Sequence, residues 1–229
     1  MTGLADGPAH PSIAVGGESL VLLPQKAAFL PDHGTLLVAD AHIGKAVSFR
    51  RAGIPVPHGT TGETLDTLAA LVQRTDAARV VFLGDFLHGA RGRTPATLDA
   101  LARWRAAHPA LALTLVRGNH DRRAGDPPAA LGVDVVDEPL RLGGLAPAHH
   151  PAPRPGAYVI AGHLHPCITV AGRAFERLRL PCFHFGPEVG VLPAFGPFTG
   201  THPIRAGDGD RVFAVAEDAV AEVTAGPRR

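Results

Sequence analysis

The chain has 229 residues, of which 45% are hydrophobic, and this is enough to bury a core of its own. The formal net charge of +1 indicates no overall basic field for a nucleic-acid partner, although a local basic patch remains open. The two cysteines fit neither a disulfide framework nor a zinc ribbon, and no apolar run reaches the ~18–20 residues of a transmembrane helix. The N-terminal stretch lacks the basic and apolar segments of a secretory signal, so we expect a cytoplasmic protein without a membrane partner.

The first half of the chain alternates strands with helices. Residues 1–17, rich in Gly, Pro and Ala, are predicted to be a flexible N-terminal segment before a single domain over residues 18–229. The predicted elements, in order, are the strands SLVLLP, AAFLP and GTLLVADAH, the helix GTTGETLDTLAALVQRT, the strand ARVVFLGD, the helix TPATLDALARWRAAH and the strand ALALTLVRGNHD. Thr60 and Glu63 have the spacing of a capping box for the first helix. Thr94 predicts the N-cap of the second, with proline at its first position.

The second half consists of short β-like runs separated by Gly and Pro. They are VDVVDEPLRLGGL, AYVIAGHLHP, CITVAGRAF, RLRLPCFHFG and a final hairpin in DRVFAVAEDAVAEV that turns near Glu217 and Asp218. Alternating strands and helices followed by a strand-rich half predict a layered α/β fold, with helices packed on a sheet and mixed or antiparallel strands in the second half.

Each of the three strands flanking the two helices ends in a polar cluster. Asp40 and His42 follow the first strand, Asp85 follows the second, and Asn119 and His120 follow the third. Ligands gather beyond the carboxyl ends of strands in such sheets, so three clusters at equivalent places indicate a functional site. A glycine before the second and third clusters is predicted to let the backbone turn sharply.

The later histidines add nitrogen ligands to these oxygens. His163 and His165 lie two residues apart in AGHLHP, and residues two apart in an extended segment point the same way, as we also expect for the first cluster. PAHHP contributes His149 or His150. Oxygen and nitrogen ligands without thiolate suit manganese, iron or zinc. There are too many for one ion, and a shared carboxylate would hold two ions ~3.5–4 Å apart.

Taken together, these motifs resemble the calcineurin-like metallophosphoesterase superfamily. The superfamily pattern is Asp-x-His, Gly-Asp, Gly-Asn-His-Asp, a later His and Gly-His-x-His. The chain contains all five pieces in this order, as Asp40-Ala41-His42, Gly84-Asp85, Gly118-Asn119-His120-Asp121, His149 and Gly162-His163-Leu164-His165. A single piece is weak, since Gly-Asp is common in loops, but five pieces in order are specific. The resemblance implies a sandwich of two mixed β-sheets flanked by helices, with a two-metal site at the strand ends.

The resemblance also implies roles for individual residues. Asp40, His42 and His165 would hold one metal ion, Asp85 would bridge, and Asn119, His149 and His163 would hold the other. His120 would donate a proton to the leaving group or contact the transition state, and Asp121 would orient it. A metal-bound hydroxide would hydrolyse the phosphoester without a covalent intermediate. The His-x-Pro form favours His149 over His150 as the ligand.

Three further stretches, VADAHIGKAVSFRRAGIPVPHGTTGETLDTL, LPCFHFG and VLPAFGPFTG, resemble the ligase-associated DNA damage response endonucleases. These are bacterial metallophosphoesterases associated with an ATP-dependent DNA ligase and a helicase. The resemblance implies a manganese-dependent phosphodiesterase and endonuclease that acts on single-stranded or looped DNA in repair. Ala41 departs from the larger apolar residue expected between Asp and His, which affects packing rather than ligation.

Substrate contacts and two other functions remain open at this point. Arg51, His88 and Arg122 are candidate substrate-binding residues, and Lys45 lies near Arg51, but each is equally typical of a solvated loop or helix face. The 10 Phe, one Tyr and one Trp argue against an extended base-stacking platform. The alternative functions are a small-molecule phosphodiesterase or phosphatase, for example for cyclic nucleotides, and a non-catalytic subunit of a ligase–helicase repair system.

Overall fold

The computed structural model describes residues 10–57, 59–171 and 177–223, and within these ranges it contains a seven-stranded and an eight-stranded sheet. The first sheet consists, in spatial and chain order, of β1 (Ser12–Val15), β2 (Glu18–Leu23), β3 (Ala27–Leu30), β4 (Thr35–Val38), β5 (Arg79–Leu83), β6 (Ala112–Val116) and β7 (Val133–Val136). The pairings from β1 to β4 are antiparallel, and those from β4 to β7 are parallel. The carboxyl ends of β4, β5 and β6 therefore meet at one edge.

The described helices connect the parallel strands of this sheet. They are α1 (Lys45–Arg51), α2 (Thr60–Thr75), α3 (Pro95–Ala107) and α4 (Asn119–Ala124). The predicted start of α3 is confirmed, because the Thr94 side chain accepts a hydrogen bond from the Thr97 N–H. The capping box predicted for α2 is wrong: Thr60 is already the first helical residue, Gly59 is the N-cap, and no side chain caps the helix.

The second sheet packs against the first. Its strands are β8 (Leu145–Pro147), β9 (Tyr158–Ala161), β10 (Pro166–Ala171), β11 (Arg177–Phe185), β12 (Val189–Val191), β13 (His202–Pro203), β14 (Arg211–Ala216) and β15 (Ala219–Val223). Strands β8, β9 and β12 are parallel, whereas β11, β14 and β15 pair in antiparallel fashion. The predicted α/β sandwich of two mixed sheets and the predicted hairpin turn at Glu217 and Asp218 are confirmed.

Two apolar cores enclose the first sheet. In β5, Val80 and Phe82 pack in the core on the helix side, whereas Val81 and Leu83 pack in the core that contains Phe183 and Phe213 of the second sheet. Because both faces are buried, the parallel strands are continuous apolar runs in the sequence rather than alternating ones. Burial on both sides holds their ends in place, and the functional residues follow these ends.

The predicted flexible segment 1–17 is wrong for Ser12–Val15, which forms β1 and pairs with β2 through apolar residues such as Ile13. Residues 1–9 lie outside the described residues, as do residues 172–175 of the predicted strand CITVAGRAF. The single domain over 18–229 stays a prediction. In the described ranges, no helix is both long enough and apolar enough to cross a membrane.

Candidate metal centre

Strands of both sheets deliver the predicted ligands to one place. Asp40, Asp85, His149 and His163 each lie two residues beyond the last residue of β4, β5, β8 and β9, respectively. Asn119 begins α4 shortly after β6. The backbone links the elements here, since the His42 N–H donates to the Asp85 carbonyl at 2.8 Å and the His163 N–H donates to Asp40 Oδ2 at 2.8 Å.

The first ligand group is Asp40, His42 and His165, with one ligand atom from each residue all within 4.8 Å of one another. His165 Nδ1 donates to the Gly200 carbonyl at 2.9 Å, so the lone pair of the neutral ring is on Nε2, 3.6 Å from Asp40 Oδ1. Among the described residues, neither this nitrogen nor this oxygen has a hydrogen-bond partner, although both are buried. Buried polar atoms are almost always satisfied, so two orphaned atoms facing one point fit a cation.

The second group contains Asn119, His149 and His163. His149 Nδ1 donates to the Leu83 carbonyl at 3.0 Å, and its Nε2 faces Asn119 Oδ1 at 2.8 Å and His163 Nδ1 at 3.1 Å. An imidazole whose other nitrogen is held by a carbonyl is the usual arrangement of a metal-bound histidine. His149 is fully buried, whereas His150 Nδ1 contacts Glu138 Oε1 at 2.8 Å and its side chain is 42% exposed. The geometry therefore favours His149 as the ligand.

Asp85 lies between the two groups. Its Oδ1 is 3.6 Å from His149 Nε2, and its Oδ2 is 3.9 Å from His42 Nε2. Asp85 Oδ1 also accepts a hydrogen bond from the His120 N–H at 2.9 Å, which fixes the orientation of the carboxylate. One oxygen thus faces each group, which is the arrangement that a bridging ligand requires.

The charges at this point are unbalanced without a cation. Asp40 and Asp85 are buried, and neither forms an ion pair with a lysine or arginine in the ranges that the structure describes. Burial raises the pKa of Asp85, and burial together with the Lys45 charge lowers the pKa of His42 far below its usual range. Buried charges are normally paired or coordinate metals. Carboxylates and imidazoles without thiolate fit manganese, iron or zinc.

The ligands reach the centre through left-handed backbone rather than extended backbone. The φ angles are 51° at Asp40, 45° at His42, 52° at Asp85, 71° at His163 and 49° at His165. The predicted pairs do come together, but the segments that carry them are not extended as predicted. Non-glycine residues rarely adopt positive φ, and such strain of ~1–3 kcal/mol per residue occurs mainly at functional sites.

Three glycines allow the ligand segments to approach one another closely. A Cβ at Gly84 would collide with the His149 ring, and one at Gly118 would collide with Asp85 Oδ1 and with the Asp85 N–H nitrogen at 2.6 Å. A Cβ at Gly162 would likewise meet Asp40 Oδ2. The turn expected at Gly118 needs no glycine conformation, because its φ is −92°. Gly118 is required for space, whereas Gly84, with φ of 80°, is required for both space and conformation.

His120 and Asp121 do not act on one another as predicted. His120 Nδ1 donates to the His88 carbonyl at 2.8 Å, and its Nε2 is 3.9 Å from Asp85 Oδ2. The buried Asp121 carboxylate accepts hydrogen bonds from backbone N–H groups instead, namely those of Asp85, Phe86, Leu87 and Gly118. The prediction that Asp121 orients His120 is therefore wrong. Asp121 positions the Asp85 loop, and a backbone carbonyl orients the His120 ring.

The three candidate substrate-binding residues lie in different environments. His88 stacks on His120 with ring centroids 5.1 Å apart, and burial, followed by the Lys45 charge, lowers its pKa to about 4. Exposed Arg51 donates to the Arg91 carbonyl at 3.2 Å, and exposed Arg122 pairs with Asp137 at 3.3 Å. Their substrate contacts stay predictions.

Lys45 follows the ligand His42 by three residues, and its backbone N–H donates to the His42 carbonyl at 3.0 Å. In addition to burial, its charge lowers the pKa values of His42 and His88. Burial lowers the pKa of Lys45, and the carboxylates of Asp40 and Asp85 oppose that shift. The ammonium lies 5.7 Å from the centroid of the Phe49 ring.

The supporting groups around the ligands were not predicted. Glu138 accepts hydrogen bonds from the backbone N–H groups of His149 and His150, both at 2.9 Å. The carbonyls of Leu83, His88 and Gly200 hold imidazole rings. Backbone carbonyls have no sequence signature, and Glu138 lies in a loop with no motif of its own, so no signal in the sequence identifies these groups.

The two mixed sheets thus deliver carboxylates and imidazoles from their strand ends to one point, a donor set that suits a metal-dependent phosphoester hydrolase. The family model for calcineurin-like phosphoesterases matches residues 35–186, and the chain belongs to this family. The matched region contains all of the predicted metal ligands.

Among solved structures, the chain is similar to the nuclease MPE of Pseudomonas putida, with 42% sequence identity and a TM-score of 0.83 over 93% of this chain and 100% of that one. It also matches YfcE, a phosphoesterase from E. coli, with 14% identity and a TM-score of 0.42 over 82% of this chain and 97% of that one. No curated protein matches the sequence significantly.

Proposed function

We propose that the chain is a two-metal phosphodiesterase that cleaves DNA internally, with manganese as its working metal and iron or zinc as the other metals that its ligands suit. The position of Asp85 carries this proposal: its two oxygens face different ligand groups, at 3.6 Å from His149 Nε2 and 3.9 Å from His42 Nε2. One group would contain Asp40, His42 and His165, and the other would contain Asn119, His149 and His163.

Two divalent ions held by these residues would supply positive charge to a phosphodiester. They would also lower the pKa of a water molecule enough for it to lose a proton at neutral pH. The chain contributes the positions of the donors. Carbonyls fix the tautomers of His149 and His165, so that Nε2 is the free atom of each ring. Asp121 holds the N–H groups on either side of Asp85 and thereby sets the angle of the bridging carboxylate.

His120 is suited to the leaving group. Because a carbonyl only accepts, the hydrogen bond to His88 places a proton on His120 Nδ1, and the second proton of the imidazolium is then on Nε2. The side chain is 33% exposed and borders the centre at 3.9 Å from Asp85 Oδ2. From there Nε2–H would donate its proton to the departing oxygen of the phosphodiester.

Two observations support nucleic acid as the substrate. The first is the likeness to a nuclease at 42% identity over nearly the whole chain. The second is Lys45, a half-buried cation at the start of α1, shortly after the first two ligands of the chain, which would contact the phosphate backbone. The sequence resemblance adds single-stranded or looped DNA as the preferred form.

The test is cleavage of circular single-stranded DNA, which has no ends for an exonuclease, by the chain stripped with EDTA and then reloaded with one metal at a time. We expect no cleavage without metal and linear products with manganese. Asp85→Asn should lower the rate by more than the ~10–100-fold of a residue that only supports a ligand. Asp134→Asn, at an exposed position on β7, is the matched control and should cleave normally.

A stem–loop DNA and bis(p-nitrophenyl) phosphate are assayed in parallel. If manganese restores hydrolysis of the small ester alone, the chain is a small-molecule phosphodiesterase and the DNA assignment fails. If Asp85→Asn hydrolyses the ester as fast as the unaltered chain, the bridging role of Asp85 fails.

The role in repair rests on the sequence resemblance, which associates such endonucleases with an ATP-dependent DNA ligase and a helicase. We propose a functional association with these two enzymes in the cytoplasm. It predicts that loss of this chain sensitises cells to DNA damage and that Asp134→Asn, but not Asp85→Asn, restores resistance. Restoration by Asp85→Asn would instead support a non-catalytic subunit.

A further inference from the structure

The stretch VLPAFGPFTG contributes no metal ligand, although the loop that it forms is hydrogen-bonded to two of the ligand residues. This loop, residues 192–200, follows β12. The Gly196 N–H donates to the Asp40 carbonyl at 3.2 Å, and the Gly200 carbonyl accepts from His165 Nδ1 at 2.9 Å. Both ends of the segment from Gly196 to Gly200 are thus attached to residues of the first ligand group.

Phe198 lies between these two attachments and is exposed. Its exposed fraction is 45%, whereas Phe195 in the same loop is 5% exposed and belongs to the core. The φ angle of Phe198 is 57°, a conformation that is strained for a bulky residue. Packing does not explain a strained backbone that places a phenyl ring in water, and strain of this kind is typical of ligand-contacting positions.

A second exposed apolar side chain belongs to the residue directly before His165 in the chain. Leu164, between the ligands His163 and His165, is 39% exposed. Four large apolar side chains are exposed among the described residues, and Leu164 and Phe198 are the two that border the metal centre in sequence. Phe198 is two residues from Gly200, so the backbone separates them by at most about 7 Å. Phe198 is therefore carried by the same short segment that holds the His165 ring.

We propose that Phe198 is the stacking face for an unpaired nucleobase adjacent to the scissile phosphate, and that it makes the centre selective for single-stranded DNA. The inference rests on the proposed nuclease function and names a residue for its specificity. A phenyl ring accepts any base, because every base has a π-face, and the base must be free of its neighbours to lie on the ring. A base within a duplex is stacked on both sides and offers no free face.

The test combines a change in the protein with a change in the substrate. The manganese-loaded full chain is compared with its Phe198→Ala variant on oligonucleotides whose cleavage position has been mapped. In the modified substrates, the base on the 5′ or the 3′ side of that position is replaced by an abasic analogue. For the unaltered chain, we expect one abasic substrate to have a kcat/KM about 5–100-fold below that of the intact strand, the range of base–aromatic stacking. For Phe198→Ala, the intact and abasic substrates should differ less than about twofold.

Three further measurements keep the outcome unambiguous. Phe198→Trp should retain the preference for an intact base, and Leu178→Ala, at an apolar position on β11 that is 58% exposed, should behave as the unaltered chain. The fluorescence of a 2-aminopurine at the preferred position should be quenched when the oligonucleotide binds the unaltered chain, but not when it binds Phe198→Ala. If the unaltered chain cleaves DNA but Phe198→Ala keeps the full preference for the intact base, the stacking proposal is overturned. If the unaltered chain cleaves no DNA, the nuclease function itself fails.

Discussion

The metal centre and the residues around it are held in opposite ways. Within the centre, carbonyls fix two of the imidazole rings, N–H groups fix the two carboxylates, and glycines allow the segments to approach closely. Lys45 and Phe198 lie on segments whose backbone is attached to ligand residues, and their side chains are half-buried and exposed, respectively. Metal ligands act only when their supports hold them in position, whereas a residue that meets a substrate must be reachable. Substitutions in the two regions should therefore differ in size and in kind.

The largest effect is expected in the centre from Gly118→Ala. The new Cβ would collide with the Asp85 carboxylate and lie 2.6 Å from the Asp85 nitrogen, neither of which has room to move. We expect a loss of about 1–3 kcal/mol in the free energy of unfolding, and a decrease of more than ~100-fold in kcat because the bridging carboxylate is displaced. Thermal unfolding and kinetics at saturating manganese measure the two effects. Gly62→Ala, where no atom lies within 4 Å, is the control and should remain active.

The next effect separates the observed role of Asp121 from the predicted one. Asp121→Asn replaces an acceptor oxygen by a donor that faces the N–H groups of Asp85, Phe86 and Gly118. Because the Asp85 loop shifts, we expect a ~10–100-fold loss in kcat, equal for DNA and for p-nitrophenyl esters. His120→Ala should instead lose more on DNA, since p-nitrophenolate leaves without a proton. A loss by Asp121→Asn that disappears with p-nitrophenyl esters would restore the predicted orienting role.

A smaller effect is expected around the centre from Lys45→Ala. A charge-assisted contact to phosphate contributes about 1.5–3 kcal/mol, so we expect KM for DNA to increase about 10–100-fold with little change in kcat. The increase should shrink at high salt. Steady-state kinetics at two salt concentrations test this, and an equal loss in kcat would show that Lys45 supports the ligands rather than the substrate.

The smallest effect is expected from Arg122→Ala. The guanidinium is paired with Asp137 at 3.3 Å, and this pair is exposed, so its loss should change kcat/KM for DNA by less than about twofold. A loss as large as that of Lys45→Ala would mean that Arg122 leaves Asp137 to bind the substrate, as the sequence suggested.

The sequence predicted the layers of the fold and the residues of the centre, but not how the centre is held. Strands that are buried on both faces appear in the sequence as continuous apolar runs such as ARVVFL, so these strands can be predicted from the sequence alone. The ligands could be predicted because five short motifs lie at strand ends in a fixed order. Their backbone conformation could not be predicted, since Asp40 and His163 adopt left-handed φ only in the context of the folded site.

Contacts between distant segments account for the errors. Thr60 has the spacing of a cap, yet the helix begins one residue earlier than a capping Thr60 would require. Asp121 neighbours His120 in sequence, yet its carboxylate faces the loop after β5. Phe198 is one of 10 phenylalanines in the sequence, and what distinguishes it is structural: an exposed fraction of 45%, a φ angle of 57° and its position next to the attachment to His165.

The central claim is that Asp85 joins two metal ions, and the most direct measurement is the manganese content of the chain combined with its electron paramagnetic resonance spectrum. We expect two manganese ions per chain with the spectrum of a magnetically coupled pair, and loss of that coupling in Asp85→Asn. The control Asp134→Asn should retain both the content and the coupling. One ion per chain at saturation, or two ions that are uncoupled in the unaltered chain, would contradict the account.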